Sequence, residues 1–198
     1  MIESKNKIFK VCLITLATFA LFFIINLEFT NKAEAATNES NTKQVSTSAS
    51  QMPSYYKKTI PLSFNLQKYL YDLCVKRGLD YKETLAVIRH ESSFNPRAKG
   101  GNNYGYFQVS KVNHANLAKT LKTKNAPFDP YINMNWGTYM LSNLQNKYKK
   151  KGLKGSNLKA AVLSAYNKGE GGYARTGKAT AYIKRHNQHL AYIKAQYK

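Results

Sequence analysis

Asp80-Tyr81-Lys82-Glu83-Thr84-Leu85-Ala86-Val87-Ile88-Arg89-His90-Glu91-Ser92-Ser93-Phe94-Asn95-Pro96 decides the fold class. Asp80 followed by Glu83 has the spacing of a capping box, an acceptor at a helix start with Glu three residues on. Thr84, Val87, Ile88 and Glu91 then recur on one helical stripe. The residue before a proline avoids helical geometry, so the helix is expected to stop before Asn95-Pro96. Glu91 therefore falls in the last turn, with Val87 and Ile88 beneath it on the core side. A carboxylate set against an apolar face is costly and needs a reason.

Working outward, the same helical periodicity recurs. Leu66, Leu70 and Leu73 follow Ser63 at helical spacing, with Tyr69 and Cys74 beside them, and Gly78 supplies a stop. Residues 99–109 are rich in Gly, Asn and Tyr and read as a loop with room for a short hairpin. A further helix is expected over residues 113–121. Asp129-Pro130 starts the next one, an acceptor at the cap and Pro at the first position. It carries Ile132, Trp136, Met140, Leu144 and Tyr148. A short helix over residues 157–166 stops near Gly169, and the last helix bears Tyr182, Ile183, His186, Leu190, Ile193 and Tyr197. No set of strands is large enough to make a sheet core. The expected class is all-α: a single helical domain over residues 61–198 with a loop or short hairpin beside a cleft.

The N-terminus reads differently. Lys5, Lys7 and Lys10 precede an apolar run over residues 11–25, and Ala33-Glu34-Ala35 offers a cleavage site. This pattern predicts a secretory signal peptide over residues 1–35. An uncleaved anchor is the alternative, although the run is short of the roughly 20 residues a spanning helix needs. Residues 36–60, rich in Ser, Thr, Asn and Gln in their first part, are expected to form a flexible linker. Cleavage leaves Cys74 as the one cysteine, a small core residue with no disulfide partner. The formal net charge is +21 at pH 7. A basic exported protein is attracted to polyanions, and anionic cell-wall polymers are the expected partner rather than specific nucleic acid. After cleavage no stable membrane anchor is expected, and the protein is expected to be a monomer outside the cell, associated with the wall.

Two blocks downstream of Glu91 bear on its role: Gly105-Tyr106-Phe107-Gln108 and Ala165-Tyr166-Asn167-Lys168-Gly169. A loop glycine lets backbone approach a ligand. Gln108 offers a donor and an acceptor suited to sugar hydroxyls and acetamido groups. The Tyr166 hydroxyl could orient a carboxyl. Cleaving a glycosidic bond needs an acid that still holds its proton near neutral pH, and burial against apolar groups provides that.

Glu91-Ser92-x-x-Asn95-Pro96, Gly105-x-x-Gln108 and Ala165-Tyr166-Asn167-x-Gly169, in that order, resemble the catalytic domain of soluble lytic transglycosylases, related to goose-type lysozyme. The resemblance runs from about Phe64 to the C-terminus and takes in Phe128-Asp129-Pro130, Asn135 and Gly137. It implies a lysozyme-like α fold and cleavage of peptidoglycan glycan strands between N-acetylmuramic acid and N-acetylglucosamine. It implies Glu91 as the one catalytic acid and base and Tyr166 as the group that holds it. Ser92, Gly105, Phe107, Gln108 and Asn167 would then line the substrate site, with Tyr104, Tyr106 and Tyr173 as further stacking faces. No cofactor and no metal are implied. Lys99-Gly100-Gly101 and Tyr106-Phe107 depart from the family pattern, which bears on substrate preference.

Among the other acids, Glu39, Asp72, Asp80, Glu83 and Asp129 read as linker, cap or helix-surface residues, and Glu170 adjoins the third block. His90-Glu91 opens like a zinc-protease motif, but Phe94 stands where its second His belongs. The competing readings are a hydrolytic lysozyme on the same fold and a non-catalytic wall- or nucleic-acid-binding module.

Overall fold

Three of the helices start where a side chain caps the first turn. The computed structural model describes residues 52–198; the expected signal peptide and the first part of the linker lie outside the described residues. Helix α1 (Phe64–Arg77) starts at Ser63, whose hydroxyl accepts from the Leu66 N–H, and ends at Gly78 in the left-handed region. Helix α2 (Tyr81–Ser92) starts at Asp80, whose carboxylate accepts from the Glu83 N–H at 2.8 Å. The expected capping box is only half made. The Glu83 carboxylate does not turn back to Asp80; it reaches Lys159 and His186 in other helices.

After α2 the chain makes a three-stranded antiparallel sheet in the order β1 (Lys99–Gly100), β2 (Asn103–Tyr104), β3 (Val109–Ser110). The loop expected over residues 99–109 is thus this small sheet. Helix α3 (Lys111–Leu121) follows. Helix α4 (Pro130–Lys150) begins under Asp129, which accepts from the Ile132 N–H. Helix α5 (Gly155–Thr176) is longer than expected, because a second helical stretch continues beyond a break at Gly169, where φ is 70° and ψ is 158°. Helix α6 (Thr180–Ala195) closes the domain. The architecture is all-α with one small sheet, as expected.

Helix α4 lies between α1 and α5, and α2 packs chiefly on α6. Trp136 and Met134 of α4, Leu70 of α1, Leu85 and Ile88 of α2 and Ile193 of α6 are buried in one core. Burying each such side chain contributes about 1.5–3 kcal/mol. The Trp136 indole N–H, buried with its ring, donates to the Thr123 hydroxyl at 2.9 Å. Cys74 is a buried free thiol in the same core.

The linker boundary expected at residue 60 is corrected by the segment before α1. Ile60 is 1% exposed, and Leu62 is buried beside it. Gln67, itself fully buried, accepts from the Lys57 N–H and donates to the Lys57 and Leu62 carbonyls, each at 2.9 Å. The Tyr55 ring stacks on Tyr71, and the Tyr197 hydroxyl donates to the Tyr55 carbonyl. Residues 55–60 are therefore part of the folded body, because apolar residues flanking Pro61 reach the core.

Candidate active site

Helix α2 ends with the Glu91–Ser92 pair, and Ser93 caps it. Ser93 and Phe94 both take left-handed backbone angles, φ 50° and 65°. That conformation is uncommon for a bulky residue and stores strain, a feature that gathers at functional sites. The strain is held by Phe94, whose ring is buried in the core. The turn leaves Glu91 at the end of an apolar stripe with its carboxyl facing an open cleft of ≈ 740 Å³.

Burial raises the Glu91 pKa above its ordinary 4.5, and a hydrogen bond from the Tyr182 hydroxyl, at 2.5 Å, partly opposes that. Tyr182 comes from α6 and is itself buried. Its own hydroxyl pKa is pushed well up, by burial first and then by the Glu91 charge. The phenol therefore stays a donor at every physiological pH and cannot compete with Glu91 for the role of acid.

Five asparagines line the cleft: Asn103, Asn113, Asn116, Asn143 and Asn167. Gln108, Tyr139, Met140 and Tyr166 line it too, and among the described residues no Lys or Arg lines it. In a chain of net charge +21 that exclusion is informative. Neutral amides present donors and acceptors together, which suits hydroxyl and acetamido groups better than anions.

One buried side chain, Asn133 of α4, shapes the cleft wall. Its carbonyl oxygen accepts from the Phe107 N–H at 2.8 Å, and its amide donates to the Tyr104 and Pro127 carbonyls. The loop from β2 to β3 is thus pinned to α4 at both sides of Gly105. A Cβ at Gly105 would lie 2.5 Å from Asn133 Nδ2 and 2.6 Å from the Pro127 carbonyl. Gly137, one helical turn after Asn133, does the same service for Phe107: a Cβ there would meet the ring at 2.0 Å. Gln108 ends the loop with φ 46°, and its amide N–H groups donate to the Ala98 and Gly105 carbonyls at 3.0 Å. Those bonds fix the side chain and leave its carbonyl oxygen as the group with acceptor capacity to spare.

The expected site residues divide in two. Glu91, Gln108, Tyr166 and Asn167 line one cleft. Gly105 and Phe107 support it from behind. Phe107 is fully buried, so it offers no face to a ligand, and Gly105 accommodates Asn133 rather than a substrate. Ser92 donates to the Ile88 carbonyl of its own helix at 2.9 Å. Of the further aromatic faces, Tyr106 is buried, Tyr104 packs edge-on to His114 and Phe128, and Tyr173 packs edge-on to Tyr148.

The largest correction concerns the phenol on Glu91. Tyr166 donates to the Phe107 carbonyl at 2.7 Å, because α5 carries it against the pinned loop. Tyr182 occupies the place expected for Tyr166. The signal for Tyr182 in the sequence was only its position on the inner face of the last helix, shared with every core residue there. Tyr139 and Asn133 were missed for the same reason: each reads as an ordinary position of a long amphipathic helix.

The other notable side chains lie behind the site. His90 stacks on Tyr182 with ring centroids 4.3 Å apart, and on His189 at 4.9 Å. Burial, followed by the charges of His189, His186 and Arg185, lowers the His90 pKa to about 4, so its ring is neutral at physiological pH. Among the described residues, no group of three or more His, Cys, Asp or Glu side chains converges to hold a metal ion.

A helical domain with a half-buried carboxyl at a strained helix end, facing an amide-lined cleft, defines the class. Residues 72–189, more than half of the chain, match the Transglycosylase SLT domain family, and the chain belongs to that family. It is 34% identical over 108 residues to the membrane-bound lytic murein transglycosylase C of Photorhabdus laumondii, covering 51% of this chain and 30% of that protein. The protein of the same name from Yersinia enterocolitica is 34% identical over 107 residues, covering 50% and 30%. The chain thus spans less than a third of the length of these relatives. It superposes on the 70 kDa soluble lytic transglycosylase of Escherichia coli with a TM-score of 0.48 at 22% identity, covering 70% of this chain and 24% of that one. The lytic transglycosylase Slt of Pseudomonas aeruginosa gives a TM-score of 0.48 at 17% identity, with the same coverage. No helix among the described residues is long and apolar enough to cross a membrane.

Proposed function

We propose that this protein is an exported lytic transglycosylase that cleaves the β-1,4 bond between N-acetylmuramic acid and N-acetylglucosamine in peptidoglycan. The observation that carries the reading is Glu91, whose pKa is raised by burial where its carboxyl faces the cleft. Held protonated, Glu91 donates to the leaving glycosidic oxygen. As carboxylate it then takes the proton of the muramoyl 6-hydroxyl, which attacks C1 of the same sugar and leaves a 1,6-anhydro end. The Tyr182 hydrogen bond stabilises the carboxylate between the two steps. Because the substrate supplies its own nucleophile, the reaction needs no second carboxylate and no cofactor.

Tyr139, Met140 and Tyr166 supply apolar faces for sugar rings, and the asparagines and Gln108 supply hydrogen bonds. The positive charge lies outside the cleft and serves attraction to anionic wall polymers. The N-terminal segment acts as an export signal, and the domain works as a monomer.

One observation favours a second reading. Glu170 lines the same cleft and forms an exposed ion pair with Lys147. As a base for water it would make the enzyme a hydrolytic muramidase. Mass spectrometry of digested glycan separates the two. Anhydro ends support the transglycosylase; reducing ends in their place assign hydrolysis.

A further inference from the structure

Helix α6 presents Tyr182, His186 and His189 at spacings of four and three residues, which puts all three on one face. Each meets α2. Tyr182 donates to Glu91, His186 bonds Glu83, and His189 meets Arg89. The three differ in their surroundings. His189 is partly exposed, whereas His186 is fully buried, and its Nε2 lies 2.8 Å from Glu83 Oε2. Lys159 of α5 takes the other Glu83 oxygen, also at 2.8 Å. One carboxylate therefore joins three helices.

This arrangement is not what stability alone would select. The His186 Nδ1 is buried without a hydrogen-bond partner. Val87, Leu141, Val162 and Leu163 line the cavity of ≈ 360 Å³ into which Glu83, Lys159 and His186 also face. Apolar side chains at residues 83 and 186 together would find apolar neighbours and orphan no nitrogen, and replacing both members of a buried polar pair is often neutral or stabilising. What an apolar contact lacks is direction. It tolerates axial slip and rotation, whereas two hydrogen bonds to one carboxylate fix both.

Tyr182 stands one turn from His186, about 6 Å along the helix. A 2.5 Å bond from Tyr182 to Glu91 does not survive a slip of 1 Å or so in α6.

We infer that Glu83 and His186 form a positioning pair, which sets the placement of α6 on α2 and so keeps the Tyr182 hydroxyl on the Glu91 carboxyl. The pair never touches substrate. Its relevance to catalysis rests on Glu91 being the acid, but the contact it maintains can be read without any turnover. The charged and titratable groups around His186 are Glu83 and His90 of α2, Lys159 of α5, and Arg185 and His189 of its own helix.

The test is a pH titration of the glutamate side-chain carboxyl carbons by NMR in the full chain, with the Glu91 resonance assigned through Glu91→Gln. Tyr182→Phe removes a donor to the carboxylate and raises the Glu91 midpoint. His186→Leu raises it in the same direction, and adds nothing in the Tyr182→Phe background. His186→Gln, which keeps an N–H donor, returns the midpoint toward the wild-type value. An unchanged midpoint in folded His186→Leu overturns the inference, and so does a shift that persists when Tyr182 is already Phe. Should His186→Leu fail to fold by circular dichroism, Glu83→Gln decides. Losing a negative charge nearby can only lower the Glu91 midpoint directly, so a rise supports the positioning role and a fall or no change overturns it. If Glu91→Gln remains lytic, the proposed reaction falls while the titration result stands. If Glu91→Gln is inactive and the titration shows no coupling, only the positioning role falls.

Discussion

Glu83 and Glu91 sit in the first and last thirds of one helix, and the protein treats them in opposite ways. Burial pushes the pKa of each upward. At Glu83 that push is more than offset by His186 and Lys159, which hold the carboxylate ionised and its pKa below 4.5. At Glu91 a lone phenol offers one hydrogen bond, and burial prevails. The residue type and the helix do not set these opposite shifts; the partners brought by α5 and α6 do. A carboxylate given two basic partners becomes a joint between helices. One given a neutral donor beside a cleft keeps a raised pKa, as the proposed reaction requires.

The strongest way to break this comparison is Glu91→Gln. Lysis of purified peptidoglycan, followed by turbidity, is expected to fall roughly 10³-fold. Unchanged lysis would remove Glu91 from the mechanism. The same variant sharpens the comparison through stability. Since the folded pKa of Glu91 is raised, its ionised form costs stability above the unfolded value of about 4.5. Glu91→Gln should therefore melt higher than wild type at pH 7, and the difference should close as pH falls below 4.5.

Next in size is Tyr182→Phe. A hydrogen bond to a charged group contributes about 1.5–3 kcal/mol, so a loss of about tenfold or more in kcat is expected. Its removal raises the Glu91 pKa further, and the alkaline limb of the pH–rate profile moves to higher pH. Tyr166→Phe, by contrast, breaks a bond to the Phe107 carbonyl and should leave that limb in place. A larger shift with Tyr166→Phe than with Tyr182→Phe would reverse the assignment of the two phenols.

Glu83→Gln tests the other end of the helix. The folded pKa of Glu83 is depressed, so its stabilisation is complete above the unfolded value and is lost as pH falls through the folded one. Urea denaturation at pH 7 should find the variant less stable than wild type, with the difference shrinking as pH falls below 4.5 and through the depressed folded value. The smallest effect is expected at Glu170, an exposed residue paired with an exposed Lys147. Solvent screening leaves such pairs contributing little, and Glu170→Gln should change lysis by less than about threefold. A loss comparable to that of Glu91→Gln would favour the hydrolytic mechanism.

Much of the fold was legible because its signals are local. Ser63, Asp80 and Asp129 cap helices through their own side chains, and Pro130 and Gly78 act within a turn of where they stand. Glu91 stood out because it ends an apolar stripe in a chain with few acids. Gln108, Tyr166 and Asn167 were placed at the cleft by the blocks that contain them. What could not be read was which member of a block faces the cleft and which faces the core. Gly105 and Phe107 adjoin Gln108 in sequence, yet Asn133 and Gly137, a turn apart on α4, turn both of them inward.

The sequence by itself determined the helices, the ends marked by Ser63, Gly78, Asp80 and Asp129, the carboxyl and the approximate chain segments around it, since each depends on neighbours within a few residues. Only the tertiary structure decided that Tyr182 rather than Tyr166 donates to Glu91, that Glu83 bonds other helices rather than its own cap, and that the lysines and arginines among the described residues stay out of the cleft. Hydrogen bonds between residues about a hundred positions apart depend on how two helices cross, and a crossing is a property of packed surfaces with no counterpart in the order of residues along either helix.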